Sequence, residues 1–372
     1  MYQGLFLDDR QEEAHLAAFL TVAGDPGITT TFQQVDQRLE DMAIAVLERK
    51  PDLLALDYRL DDAQTPGAVE VRYKAGPLAQ QLRDHASKLG VDDFPIVLVS
   101  HENIILSYYQ PDLTTHDLFD RIYAKEKLVT DRERIGRELL ALVDGYKEII
   151  RVWEDVARLR QLLGLTDDRE GEPLLNNQEL RRWRDLKAPH QLAREILRSI
   201  VDRNGMLRDR QSLLARLGIA PDSTDINALI EILGKENVIY HGVFYGGWER
   251  WWDHRIEAFV VGICGEELGN LTARERVERL NELFGLKLIA AKSLWTGSDE
   301  MFPGFACASC GHPTEKVHSV AAFDPVPSFV ERKRICWDCV ATGKYENKEL
   351  TIDDAETYIV EKIQSGEIQK GA

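Results

Sequence analysis

Short apolar runs alternate with amphipathic stretches along the first third of the chain. Strands are predicted where a run is mainly apolar or β-branched, at residues 4–8, 29–35, 52–57, 94–100 and 120–125. Helical spacing of apolar residues is found between them, at residues 11–21, 36–48 and 78–89. This alternation predicts the α/β fold class, with a doubly wound five-stranded parallel sheet covered by helices on both faces.

The stretch from residue 128 to 165 contains no proline, and its apolar residues recur at alternating spacings of four and three. The series comprises Ile135, Leu139, Leu142, Tyr146, Ile149, Trp153, Val156 and Leu163, with Arg160 breaking it. Such spacing is typical of a coiled-coil seam, so we expect one continuous connecting helix over 131–165, and a homodimer. The alternative is two shorter helices that pack on their own domains.

The pattern divides the chain into four parts. After the sheet region at 1–130 and the connecting helix at 131–165, residues 166–300 are mainly helical by pattern, and 301–372 form a small cysteine-bearing module with a C-terminal helix. A tryptophan cluster at 248–252 has helical spacing, so we expect Trp248 and Trp252 to share a buried helix face.

Charge and hydropathy narrow the classes of function. The formal net charge is −17, which disfavours general nucleic-acid binding because such proteins usually neutralise phosphates with clustered lysine and arginine. The local stretch Arg332-Lys333-Arg334 leaves DNA contact open. No apolar run approaches the roughly 20 residues of a membrane span, and the first residues lack a signal-peptide pattern. We therefore expect a cytoplasmic protein with no membrane partner.

Polar residues stand where the predicted strands end. Asp8 and Asp9 close the first strand, Asp57 the third and Ser100 the fourth, and Lys125 follows the fifth. In an open parallel sheet, ligands bind beyond the carboxyl ends of the strands. We therefore expect these five side chains to meet at one edge of the sheet. The alternative is that they are separate, solvated rim charges.

These residue types suit phosphoryl transfer. A carboxylate such as Asp57 can attack a phosphoryl donor and form an aspartyl phosphate. Asp8 and Asp9 can bind Mg²⁺ together with Asp57, which offsets the charge of the incoming group. The Lys125 ammonium can pair with phosphoryl oxygens, and the Ser100 hydroxyl can donate a hydrogen bond to one of them.

Four motifs support this interpretation in order along residues 1 to about 147. They are Leu5-Phe6-Leu7-Asp8-Asp9-Arg10, Leu54-Ala55-Leu56-Asp57-Tyr58-Arg59-Leu60, Val97-Leu98-Val99-Ser100 and Ala124-Lys125. In these motifs the sequence resembles the receiver domain of bacterial two-component response regulators. The resemblance implies a flavodoxin-like fold, a histidine kinase or phosphotransfer protein as partner, and movement of Ser100 toward the phosphoryl group as a switch.

The chain also departs from the family pattern. Extra residues around 61–74 enlarge the loop beside Asp57, and Pro111 interrupts the stretch of the expected fourth helix. Glu126 replaces the usual proline after the lysine. Ile122 holds the place of the aromatic residue that usually partners the switch hydroxyl, and Tyr123 is its neighbour. These departures leave open a degenerate receiver that binds partners without being phosphorylated.

Two Cys-x-x-Cys pairs, Cys307 with Cys310 and Cys336 with Cys339, are separated by 25 residues. Four thiolates on two tight turns form the tetrahedral shell of structural zinc, so we predict a zinc ribbon. His312 or His318 in place of one cysteine, and a redox dithiol, are the alternatives. The fifth cysteine, Cys264, is expected to be a small buried side chain.

The leading hypothesis is a phosphorylation-responsive signalling protein whose receiver controls a helical and zinc-ribbon output. That output can be an adaptor or phosphoryl relay that docks an effector protein. It can also be a DNA-binding transcription regulator, or an enzyme in 166–300 that the receiver gates, for example in a bacterial defence or stress system. The sequence shows no convincing catalytic set outside the receiver.

Overall fold

The computed structural model describes residues 1–35, 38–62, 71–89, 93–165, 171 and 174–371. The chain forms two compact units. One unit contains Met1–Arg198 and His241–Trp248, and the other contains Ser199–Tyr240 and Glu249–Ala372. The four-part division expected from the sequence stays a prediction.

Five parallel strands form the sheet of the first unit. They are β1 Tyr2–Asp8, β2 Ile28–Gln34, β3 Leu53–Leu56, β4 Ile96–Ser100 and β5 Arg121–Ala124. Their order in the sheet is β2-β1-β3-β4-β5, and every neighbouring pair is parallel. Because β1 lies between β2 and β3, the strand order reverses there, as in doubly wound folds. The predicted fold class is confirmed.

Helices lie between these strands and after the last of them. They include the 3₁₀ helix Gln11–Ala18, α1 Leu39–Arg49, α2 Ala75–Leu89, α3 Glu102–Ile104, α4 Lys127–Thr130, α5 Arg132–Arg151 and α6 Arg158–Leu162. On one face, Leu5, Leu7 and Leu56 join a core that includes residues of α1 and α2. Phe6 points to the other face and is also buried. Residues 36–37, at the start of a predicted helix, and 63–70 of the enlarged loop lie outside the described residues.

Helix α5 differs from the predicted connecting helix. It ends at Arg151, and the chain turns before α6 begins at Arg158, so the prediction of one continuous helix over 131–165 is wrong. The predicted seam residues of α5 are buried, which fits the alternative of shorter packed helices, whereas Val156 is 92% exposed. The reason is that spacings of four and three suit any helix with one buried face, whatever lies against it.

A buried ionic network lies in the first unit, around Arg83 of α2. Its guanidinium donates to Asp93 Oδ1 and to Asp120 Oδ2, each at 2.8 Å. Tyr146 of α5 donates to the other oxygen of Asp120 at 2.7 Å. Asp93 also accepts the backbone N–H of His190, at 2.8 Å. The network therefore ties α2 and α5 to the loops that precede β4 and β5.

The second unit is mainly helical, with short antiparallel strands. Its helices include Arg210–Leu217, Ile226–Lys235, Asp253–Cys264, Ala273–Phe284, Trp337–Ala341 and Thr357–Gln364. Leu207–Arg208 pairs with Trp251–Trp252, Phe305–Ala306 pairs with Pro313–Thr314, and Ser319–Ala321 pairs with Arg334–Cys336. In the described residues, no helix is long and apolar enough to cross a membrane.

The tryptophan cluster does not form the expected helix. Trp251 and Trp252 are consecutive and both fully buried, and they form a strand that directly precedes the helix Asp253–Cys264. Successive side chains of a strand point to opposite faces, so two adjacent buried tryptophans suit a strand with cores on both sides. Trp248 lies instead in the first unit, under the guanidinium of Arg121 at 4.4 Å.

Candidate functional site

The structure brings the five predicted side chains together at the carboxyl edge of the sheet. Asp8 is the last residue of β1, Asp57 follows β3, and Ser100 ends β4. Pairing of Ser100 with Ala124 places Lys125 directly beyond β5, where its N–H donates to the Ser100 carbonyl at 2.9 Å. Strand order and register therefore produce this convergence.

The Lys125 ammonium and the Ser100 hydroxyl both contact one oxygen of Asp57. Lys125 Nζ lies 3.0 Å from Asp57 Oδ1 and 2.7 Å from Asp8 Oδ2. The Ser100 hydroxyl donates to the same Asp57 Oδ1 at 3.0 Å. The phosphoacceptor candidate is thus held by the two groups that the sequence assigned to phosphoryl oxygens.

The backbone fixes the other oxygens of the two aspartates. The N–H of Arg10 donates to Asp8 Oδ1 at 2.9 Å, and the N–H of Arg59 donates to Asp57 Oδ2 at 2.8 Å. In each case the donor is two residues after the aspartate, as in an Asx turn. Both carboxylates are therefore oriented by local chain geometry before any ligand binds.

Burial and charge perturb the acid–base behaviour of the site. Burial raises the pKa of Asp57, and the negative charge of Asp8 raises it further, whereas Lys125 opposes the shift. Burial would lower the pKa of Lys125, but the charges of Asp57 and Asp8 outweigh it, so this pKa is raised. The ammonium therefore stays protonated beside the carboxylates.

The residues present fit a hard divalent cation. Asp8, Asp9 and Asp57 are buried, and a carboxylate oxygen of each lies within 4.8 Å of those of the other two. Lys125 contacts two of these carboxylates, those of Asp8 and Asp57, and negative charges gathered in a buried site are costly unless cations offset them. Mg²⁺ prefers oxygen ligands and keeps several waters, so this donor set suits it.

A cavity of about 440 Å³ opens beside these groups. Besides Asp8, Asp57, Ser100 and Lys125, its lining includes Arg10, Arg59, Asp62, His101, Asn103, Ile104 and Glu126. Sequence reasoning did not assign roles to Arg59, His101 or Asn103. Their signal was position, because each follows a predicted site residue by one to three places.

The departures from the family pattern have structural counterparts. Ile122 is 40% exposed, whereas Tyr123 is buried on the other face and donates to Glu138 Oε2 of α5 at 3.0 Å. Burial raises the pKa of Tyr123 well above its usual value. The hydroxyl of Tyr123 is therefore engaged by α5.

The four predicted zinc ligands also meet, in the second unit. A sulfur atom of each of Cys307, Cys310, Cys336 and Cys339 lies within 4.8 Å of the others. The N–H of Cys336 faces Cys307 Sγ at 3.2 Å. Gly311 has φ +74° and donates its N–H to the Cys307 carbonyl at 2.7 Å, so a left-handed turn, which glycine adopts readily, follows the first pair.

The histidine alternatives lie outside this cysteine cluster. His312 Nε2 lies 2.8 Å from the Lys292 carbonyl, and His318 Nδ1 lies 2.6 Å from Glu315 Oε1. Four thiolates in a closed shell fit zinc without an open position for a catalytic water. The cluster therefore suits a structural metal. Cys264 is only partly buried, at the end of its helix, and burial raises the pKa of its thiol.

Comparisons with known proteins give weak matches. No family model and no curated protein matches the chain. A solved response regulator from Desulfuromonas acetoxidans is 11% identical and covers 36% of this chain and 96% of its own, with a TM-score of 0.23. A fusion protein that carries a trimeric coiled coil of yeast Spc42 is 16% identical and covers 47% and 97%, with a TM-score of 0.27. These scores are low, so the fold class depends on the strand order described above.

Proposed function

We propose that residues 1–130 form a receiver domain that accepts a phosphoryl group on Asp57. The observation that supports this proposal is that Asp57 Oδ1 lies 3.0 Å from both Lys125 Nζ and Ser100 Oγ. Asp8 and Asp9 complete a buried acidic set next to it. Separate, solvated rim charges would not be buried at one edge of a sheet.

The transfer follows from the positions of these groups. The Asp57 carboxylate oxygen attacks the phosphorus of a phosphohistidine on a histidine kinase or phosphotransfer protein. The O–P bond forms as the P–N bond breaks, and the donor imidazole leaves with that electron pair. A divalent cation, when bound by Asp8, Asp9 and Asp57, offsets the negative charge of the transferred group. Lys125 and Ser100 then bond its oxygens instead of Asp57 Oδ1.

Intact mass spectrometry tests this proposal. After treatment with acetyl phosphate and Mg²⁺, the wild type gains the mass of one phosphoryl group, and Asp57→Asn gains none. Asp41→Asn, which removes an exposed carboxylate from α1, is the matched control and gains the group like the wild type. A wild type whose mass never changes would contradict the proposal and leave a receiver that only binds partners.

The remainder of the chain carries the proposed output. We propose that Cys307, Cys310, Cys336 and Cys339 bind one zinc ion in a ribbon module within 301–372, and that 166–372 docks an effector protein. One zinc per chain by elemental analysis is the expected result. Oligomeric state measured with and without the phosphoryl group tests the expected homodimer.

A DNA-binding output is the second candidate. Arg332 and Lys333 are exposed, whereas Arg334 donates to Ser319 Oγ at 2.7 Å and is engaged inside the module. Two exposed cations, of which Arg332 lies 3.5 Å from Asp353 Oδ2, are few for a protein of net charge −17, which favours the adaptor. Binding to duplex DNA that weakens steeply with salt would reverse this preference.

A further inference from the structure

One side-chain pair connects the two loops that follow Ser100 of β4 and Ala124 of β5. His101 follows Ser100, and Glu126 follows Lys125. His101 Nδ1 lies 2.8 Å from Glu126 Oε1, and the other oxygen of Glu126 accepts the backbone N–H of Glu102 at 3.1 Å. Glu126 therefore bonds both the side chain and the backbone of the loop after β4.

The His101–Glu126 pair links the chain after β4 to the chain after β5, beyond the point where the pairing of these two strands ends. The β4–β5 ladder stops at Ser100 and Ala124, followed by the bond from the Lys125 N–H to the Ser100 carbonyl at 2.9 Å. On its other side, His101 Nε2 lies 3.7 Å from Glu13 Oε1. The second oxygen of Glu13 lies 4.0 Å from Lys125 Nζ.

We propose that the His101–Glu126 pair is a positioning device that holds Ser100 and Lys125 at the spacing a phosphoryl group on Asp57 requires. This inference rests on the proposed phosphoryl acceptance. Catalysis of phosphoryl transfer consists almost entirely of positioning and charge stabilisation. Small displacements of the groups that bond the phosphoryl oxygens therefore reduce its rate. The pair gives Glu126 a role at the place where the family pattern has proline.

The positioning role can be tested apart from folding stability, because both side chains of the pair are exposed. The side chains of His101 and Glu126 are 44% and 46% exposed, and exposed ion pairs contribute little to stability. Burial alone would raise the pKa of Glu126, but its bond with His101 and the Glu102 N–H outweigh it and lower this pKa. A variant at Glu126 should therefore fold normally and show its effect in the chemistry.

The test compares rates of phosphoryl uptake from acetyl phosphate with Mg²⁺. Glu126→Ala should lower the rate roughly ten- to hundredfold, the range expected when reacting groups lose their alignment. Glu126→Gln should stay within about threefold of the wild type, because the glutamine oxygen can accept from the Glu102 N–H and its amide can donate to His101 Nδ1. For this rescue, His101 carries its proton on Nε2, the nitrogen that faces Glu13, so that Nδ1 is free to accept the amide N–H.

Two further variants check that the residues act as a pair. His101→Ala should match Glu126→Ala, and the double variant should be no slower than either single one, because both remove the same contact. Glu12→Ala, which removes an exposed carboxylate nearby, should behave like the wild type. Amide hydrogen exchange by mass spectrometry should rise in peptides containing Glu102 and Lys125 in Glu126→Ala.

The outcomes separate the two proposals. A wild type that gains no phosphoryl group refutes the proposed function, and the positioning role with it. A wild type that is phosphorylated, with Glu126→Ala reacting at the same rate, overturns the positioning role alone. A loss of rate in Glu126→Gln as large as in Glu126→Ala also overturns it, since charge rather than position would then be responsible.

Discussion

Gly145 in the middle of α5 is expected to tolerate no side chain, although alanine is the better helix former. Alanine in place of glycine in a helix interior normally stabilises by about 1 kcal/mol. A Cβ atom at Gly145, however, would lie 2.2 Å from Cε1 and 2.4 Å from Cδ1 of the Phe244 ring. Those distances are far inside van der Waals contact, so either α5 or Phe244 must move.

The ring has little freedom to move. Phe244 is 2% exposed and has φ +71°, an uncommon backbone conformation for a residue with a large side chain. The residue before it, Val243, donates its N–H to the Leu162 carbonyl at 2.7 Å, and the Gly247 N–H donates to the Phe244 carbonyl. A shift of the ring therefore also disturbs the backbone of residues 241–248.

The expected change in the free energy of unfolding follows from two opposing contributions, the close contact with Phe244 and the better helix propensity of alanine. Overpacking of a buried site costs about 1–3 kcal/mol, and the helix gains about 1 kcal/mol. Gly145→Ala should therefore lower the free energy of unfolding by up to about 2 kcal/mol. Gly136→Ala in the same helix is the matched control, because its Cβ would meet Val22 at an ordinary 3.5 Å. That control should stabilise by about 0.5–1 kcal/mol.

Urea unfolding followed by circular dichroism measures both changes. In a Phe244→Ala background the obstacle is gone, so Gly145→Ala should then stabilise the protein by about 1 kcal/mol like the control. This reversal of sign is the specific outcome of the packing argument. If Gly145→Ala stabilises the wild type as much as Gly136→Ala does, the close contact with Phe244 does not exist in solution.

Three more substitutions and a change of pH probe other parts of the molecule. Arg83→Met should lower the free energy of unfolding by about 3–5 kcal/mol in urea titrations, because it removes the guanidinium that bonds two buried carboxylates. The pKa of Asp93 is lowered, since Arg83 and His190 outweigh the effect of burial, so the wild type should lose stability as the pH falls below about 4, where the unfolded chain binds more protons. Cys339→Ser should abolish zinc retention in elemental analysis and make the C-terminal module sensitive to proteolysis. Tyr123→Phe should lower the free energy of unfolding by about 1–2 kcal/mol by removing the donor to Glu138, without changing the rate of phosphoryl uptake.

The strand ends were predictable from sequence because each apolar run stops at a polar residue that the chemistry needs. Asp8, Asp57 and Ser100 all lie within one residue of the end of an observed strand. Parallel strands bring their carboxyl ends to one edge, so local patterns were enough to bring together residues that are far apart in sequence. The cysteine pairs were predictable for a similar reason. Each Cys-x-x-Cys turn brings two sulfur atoms together locally, so a single contact between the two turns completes a four-sulfur shell.

The end of α5 was not predictable in the same way. No proline lies between Arg151 and Leu163, and apolar residues keep a seam-like spacing to Val156 and again at Leu163. The chain nevertheless leaves the helix after Arg151: Leu162 and Leu163 are buried in a second short segment, and Val156, between it and α5, faces solvent. A periodic pattern identifies which face is buried and carries no information about where the neighbouring element lies.

The His101–Glu126 pair shows how the two kinds of information combine. Both residues follow predicted site residues, yet they are 25 positions apart, and only the pairing of β4 with β5 brings their side chains to 2.8 Å. Ile122 holds the place of the usual aromatic partner of Ser100 and is 40% exposed, while Tyr123 bonds Glu138, so β5 has no aromatic side chain at that place. The residue next to Ser100 contacts Glu126 instead. A displacement of Ser100 toward a phosphoryl group would therefore act first on the loop after β5, through His101, and we expect the exchange of the Lys125 amide to report it.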